Sequence, residues 1–266
     1  MAVFVRELRR NFKPWLIWSL SLGGFVALMM AIFPSIAAQG QDLMELLKAY
    51  PPAMLKAFNL DRLDMGDVLG YYATEGFILA SLVSAIYSIQ LASGLLAKEE
   101  SDKTIEFLLA RPVTRTTIVT GKAAVAGLYI VSLNVVQTVV AYISFEAVKT
   151  GPYSVKAFLA LAAGGLLIDL TFAALGLAVA VFVTKAKALY PLGIGLVLGT
   201  YILSVMAKLT SKLAPLRWLS PFSYADTADI LEKGAIGGTY LALFLGLIVA
   251  LTAAAYAVYR RKDITV

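Results

Sequence analysis

Asp169 is the one carboxylate near the middle of a long apolar stretch, VKAFLALAAGGLLIDLTFAALGLAVA. A charge inside hydrocarbon is costly. An acid there either meets a substrate or ion, or packs as a protonated or hydrogen-bonded group, with Thr171 nearby. The amides Gln90, Asn134 and Gln137 sit in other apolar stretches, where they can bond between helices. Other reactive groups are scarce. The chain has no cysteine and no histidine, which excludes disulfides, thiol nucleophiles, histidine bases and Cys/His zinc sites. No Ser/His constellation, catalytic carboxylate pair or metal-ligand cluster stands out. A P-loop needs G-x-x-x-x-G-K-[ST], whose amides cradle phosphates. The nearest match, Thr120-Gly121-Lys122, lacks the upstream glycine and continues with Ala123. The expectation is a chain that is not an enzyme and binds no metal or cofactor directly.

The elements that carry these residues are apolar helices. The chain is 60% hydrophobic and 15% charged, against roughly 45–50% and 25% in soluble domains. Apolar runs of about 20 residues recur, the length that crosses about 30 Å of hydrocarbon. A barrel would alternate in segments of about ten residues; these runs are continuous. The expected fold is all-α: a polytopic membrane protein in one domain over 1–266, with spans at about 15–36, 71–97, 123–146, 157–183, 189–207 and 239–259. The run from Trp15 to Ile36 exceeds a signal-peptide core of about 7–15 residues and is read as a retained first span. Glycines crowd spans four and five, and Gly195–Gly199 forms a GxxxG. Packing within one chain and dimerisation both explain it.

Lys and Arg orient the spans. The segments 1–14, 98–122, 184–188 and 260–266 carry 14 of them, while the longer loops 37–70, 147–156 and 208–238 carry 9. The first set is therefore expected in the cytoplasm, with both termini inside a cell membrane. At the start, Val3, Phe4 and Leu8 oppose Arg6, Arg9, Arg10 and Lys13, as in an amphipathic helix lying on anionic lipid. In 37–70, Leu43, Leu46, Leu47 and then Met54, Leu55 and Phe58 have helical spacing. They predict short helices that cap the bundle or form an outer gate.

The segment 98–122, KEESDKTIEFLLARPVTRTTIVTGK, places nine charges around one small apolar cluster. Ser101 or Asp102 can cap a helix over about 103–110, where Ile105, Leu108 and Leu109 share a face. Pro112 disfavours helix at Arg111. Thr114 or Thr116 can cap the next helix. The product is a short cytoplasmic helix with apolar anchors and a charged surround. It can dock on a protein partner or lie on the membrane. Glu99, Glu100, Asp102 and Glu106 weigh against an anionic leaflet and favour the partner.

These residues also resemble a family. The segment looks like the loop between spans two and three of ABC-2-type transporter permeases. Its Glu, Thr, Leu-Leu, Pro, Arg and Lys correspond to Glu100, Thr104, Leu108-Leu109, Pro112, Arg115 and Lys122. A glycine often precedes the Thr; Lys103 stands there instead. FVRELRRNFKPWLIWSL resembles the family's helix entering span one, and LRWLSPFSYADTADIL its outer element before span six.

The resemblance implies a permease subunit of an ABC exporter, working as a dimer with a second copy or a related permease. Two cytosolic ATPase subunits would hold the ATP and Mg, and the loop after span two would be the coupling helix. Glu99, Glu100, Ile105, Phe107, Leu108 and Leu109 would carry the docking, with Arg111 and Arg115 steering it. The partners are thus an ABC ATPase, another permease and lipid, with no nucleic acid. Substrates in the family run from drugs and peptides to lipids and ions. Two other readings stay open: an ion-coupled carrier using Asp169, with Gln90, Asn134 and Gln137 as further pathway groups, and a non-transporting scaffold.

Overall fold

The computed structural model describes residues 2–39, 49–101, 114–183 and 186–262. Among these the chain is helical, with no strand. Six helices are long and apolar enough to cross a membrane: Phe4–Ala38, Val68–Lys98, Arg115–Val148, Val155–Ala180, Lys187–Leu209 and Gly238–Arg261. They are spans one to six. Successive spans run in opposite directions, so both ends of the described chain lie at one end of the bundle, here called the terminal end. The far end carries the Pro52–Ala57 and Thr227–Lys233 helices.

Side-chain caps set several starts. Asp67 accepts the Leu69 and Gly70 N–H groups at 3.1 Å each, before span two. Thr114 accepts the Thr117 N–H at 3.2 Å before span three, and Ser154 that of Ala157 at 3.2 Å before span four. Each satisfies an amide that a helix start leaves without an intrahelical partner. Of the two threonines expected to cap span three, Thr114 does so, while Thr116 lies inside the helix. Span two opens with one α-helical turn, Val68–Tyr71, followed by a π-helical turn, Tyr72–Gly76.

Residues 2–14 do not form a separate surface helix. The first helix runs unbroken from Ala2 to Ala38, through Pro14, and at 1.5 Å per residue is about 55 Å long. Phe4 and Leu8 pack against the terminal-end core, with Trp15 and Trp18. Tyr129 of span three donates to the Leu8 carbonyl. The apolar stripe read as lipid-facing thus finds protein first.

Two apolar clusters stack along the bundle. The far-end cluster is rich in aromatic rings: Tyr72 sits 5.0 Å from Phe145, and Phe145 5.1 Å from Phe158. The terminal-end cluster is built on Tyr87, Leu91, Leu95, Val125, Leu133 and Leu177. Spans two and four pack most extensively, followed by spans one and three. Spans five and six bury little of themselves within the chain.

The glycines divide accordingly. A Cβ on Gly176 would stand 2.6 Å from the Ile89 carbonyl oxygen, so this glycine lets span four approach span two. A Cβ on Gly195 or Gly199 would meet nothing within 4 Å. Gly176→Ala should therefore cost about 1–3 kcal/mol through overpacking. Gly199→Ala should stay within about 0.5 kcal/mol. Thermal unfolding of the purified variants in detergent checks both.

Candidate functional sites

Asp169 is fully buried where spans two, three and four meet. Asn134 Nδ2 donates to its Oδ2 at 2.8 Å, and Ser84 Oγ lies 2.9 Å from its Oδ1. Both carboxylate oxygens are engaged by neutral groups from neighbouring spans. Thr171 is not one of them; its hydroxyl donates to the Leu167 carbonyl at 2.7 Å, one helical turn back. Gln137 is buried, and its Nε2 has no hydrogen-bond partner. It lines a small chamber of about 20 Å³ with Ser84 and Asn134. Asp169, Asn134 and Gln137 are thus brought to one place.

Gln90 is elsewhere. It lines a cavity of about 420 Å³ at the terminal end, with Glu7, Trp18, Tyr87, Lys98 and Tyr190, between spans one, two and five. Two of its walls are polar groups in unusual settings. Glu7 is 2% exposed and paired with Arg6 at 2.9 Å, and the Tyr87 hydroxyl is buried without a hydrogen-bond partner.

At the far end, charges from three segments converge. Arg62 grips Glu232 with two nitrogens, at 2.9 and 2.6 Å, and Asp229 at 2.7 Å. Lys208, at the end of span five, meets Asp226 at 2.6 Å. Asn59 donates to Asp226 Oδ2 and to Thr227 Oγ1, both at 3.1 Å, from a left-handed backbone (φ 59°) that asparagine tolerates. Together these contacts bind the loop after span one to the helix before span six.

Burial pushes the Asp226 carboxyl up, but Lys208 and the Asp229 and Asn59 donors outweigh it and hold the group below its ordinary value. Hydrogen bonding to Arg62 lowers Glu232 in the same way. In the window just below an ordinary carboxylate pKa of about 4, the unfolded chain then binds more protons than the folded one. Stability contributed by Asp226 is present above that range and lost as pH falls through it. Thermal unfolding from pH 6 to pH 3 (roughly the window set by that linkage) should show a falling midpoint, with a smaller fall in Asp226→Asn.

The predicted docking residues Ile105, Phe107, Leu108, Leu109 and Arg111 lie outside the described residues, as does the proposed helix over 103–110. Glu99 and Glu100 belong to the helix Phe77–Ser101 that prolongs span two. What is described is how the segment's two stems are held. Lys122 is fully buried and donates to the Leu95 carbonyl of span two. Arg115 Nη1 donates to the Lys262 carbonyl at 2.5 Å and the Arg260 carbonyl at 3.4 Å, beyond span six. Tyr256 donates to Thr120 Oγ1 at 2.8 Å. The start of span three is thus bonded to span two and to the end of span six.

Sequence reasoning missed Lys122 as a structural anchor. It stood out in a failed P-loop match and as the last position of the family resemblance, although a lone lysine just inside a span is itself a signal. It also missed the Arg62 clamp, because no spacing relates residues 59–62 to 226–232. Among the described residues, no group of three or more Asp or Glu is placed to hold a metal ion.

Six helices long and apolar enough to span a bilayer, packed around a buried polar cluster, define a polytopic membrane protein. The chain belongs to the ABC-2 family of transporter proteins, whose family model matches residues 1–264. No curated protein matches it.

Proposed function

We propose that the chain is the permease subunit of an ABC-type exporter, driven by a separate cytosolic ATPase through the segment 98–122. Family membership supports the transport role. The sequence lacks a P-loop of its own, which fits an engine held in another chain. The observation that carries the coupling is the anchoring of Lys122 and Arg115. It ties the proposed docking segment to spans two, three and six. A push there moves helices rather than a slack loop.

In this reading Glu99, Glu100, Ile105, Phe107, Leu108 and Leu109 dock on the ATPase, and Arg111 assists. Arg115 acts through its hold on the chain after span six. ATP and Mg bind in the partner. The terminal end faces the cytoplasm, and the far end faces outward. The 420 Å³ cavity offers a cytoplasmic entrance for substrate, and the Arg62 clamp closes the outer side. A second permease, identical or related, packs on the exposed faces of spans five and six. Affinity isolation from native membranes tests the reading: an ATPase with a P-loop should accompany the chain, and its absence would count against it.

A second reading has one observation in its favour. Asp169, bonded across spans two, three and four, suits a carrier that couples transport to an ion. It requires transport by an ion gradient without ATP, lost in Asp169→Asn.

A further inference from the structure

Three cavities follow one another from the far end to Ser84 and Asn134, the two partners of Asp169. The first, about 300 Å³, is open and lined by Arg62, Lys208, Ser223 and Asp226, among others. The second, about 30 Å³, shares Lys208 and Asp226 with the first and reaches Ser204, Phe77 and Ser81. The third, about 20 Å³, shares Phe77 and Ser81 with the second and reaches Ser84, Asn134 and Gln137. Ser223 donates to Ser204 at 3.0 Å across the first junction. A water molecule needs roughly 10–15 Å³ and at least two polar partners. The two inner cavities meet both conditions.

Two observations point to water as the occupant and to a proton as its cargo. Gln137, 8% exposed, lines the third cavity with its Nε2 lacking an acceptor. A water oxygen supplies one. Ser84 Oγ lies 2.9 Å from Asp169 Oδ1 and 3.2 Å from the Ser81 carbonyl. A hydroxyl has one hydrogen. It can donate to an ionised Asp169, or donate to Ser81 and accept from a protonated one. The site therefore satisfies either state of the acid.

We propose that these cavities form a water file from the far end to Asp169, making Asp169 a proton-binding site reached from that side. A hydronium ion in the third cavity gives its proton to Ser84 Oγ and remains as water, while the hydroxyl's own hydrogen passes to Asp169 Oδ1, so Ser84 ends as a neutral hydroxyl. The carboxylate becomes a carboxylic acid, and release reverses the step. Ser84 and Asn134 face the carboxyl, and Tyr87 lies about one helical turn from Ser84 on span two. Tyr72 lines the third cavity and Tyr201 the second. Span six has no titratable side chain between Tyr240 and Tyr256. The cavities lead from the far end to Ser84, which bonds Asp169, so the site exchanges protons with that side. Calling that side the outside rests on the orientation proposed above.

Infrared spectroscopy of the purified chain in lipid bilayers tests this without any ATPase, so it stands or falls apart from the permease reading. A carboxylic-acid C=O band should grow as pH is lowered, shift on transfer to D2O, and vanish in Asp169→Asn. Ser81→Leu and Ser204→Leu, on different walls of the second cavity, should keep the band but slow its D2O shift roughly tenfold, about 1.4 kcal/mol of added barrier. Ser81→Ala, which removes the hydroxyl without filling the space, should leave the rate close to wild type. No such band at any pH where the chain stays folded would overturn the proposal. So would exchange as fast as wild type in both leucine variants.

Discussion

Leu108→Asp is expected to abolish recovery of the ATPase with the chain, while the chain itself still reaches the membrane. Leu108 is the centre of the apolar triplet Ile105, Leu108 and Leu109 in the segment between spans two and three. Docking of a short helix rests on a few apolar anchors, and truncating a central one typically costs about 2 kcal/mol or more. A carboxylate in its place adds the cost of desolvating a charge, so the loss in affinity should exceed roughly thirtyfold. Glu100→Lys tests the charged surround. Such charges set register and encounter rate, so this variant should bind more slowly and with a different salt dependence. Co-purification and stimulated ATP hydrolysis are the measurements. The stems should be unaffected, because Lys122 and Arg115 draw on carbonyl groups outside the segment. If both variants bind and stimulate as wild type does, the segment is not the docking element.

The second large effect is at Asp169. Asp169→Lys should prevent stable accumulation of the protein. A lysine cannot accept from Asn134, and an unpaired cation at mid-span costs about 2.5–3.5 kcal/mol on insertion scales alone. Asp169→Asn keeps an acceptor for Asn134 and a polar partner for Ser84, so it should unfold within about 1 kcal/mol of wild type. Expression level and thermal unfolding in detergent give the comparison. The same Asn variant separates the two functional readings: the permease reading expects ATPase stimulation to persist, while an ion-coupled carrier loses its transport.

Apolar run length carried much of the fold, because in a bilayer every backbone group must bond within its own helix. The six spans were legible for that reason. Their beginnings were harder. Span three starts at Arg115 rather than 123, because Thr114 caps it and polar Thr116, Thr117 and Thr120 sit within helix. Residues 2–14 read as a surface helix because an amphipathic stripe looks alike against lipid and against protein. Only the packing of Phe4 and Leu8 tells the two apart. At Asp169, intramembrane cost marked the residue, but not its partners. Thr171 was nearer in sequence, yet Ser84 and Asn134, 85 and 35 residues away, hold the carboxyl. Such pairings depend on how helices cross, which residue spacing within one helix does not encode. The Arg62 clamp was hidden in the same way, with its members on either side of four intervening spans.

The central claim is that a separate ATPase drives this chain through the segment between spans two and three. Photo-cross-linking tests it most directly, with a photoreactive amino acid at position 108 in native membranes and a control at position 54 on the far-end helix. The account predicts that position 108 yields an adduct with a P-loop ATPase, identified by mass spectrometry and altered by nucleotide, and that position 54 yields none. An adduct at position 108 with lipid alone, or an ATPase adduct at position 54, would contradict it.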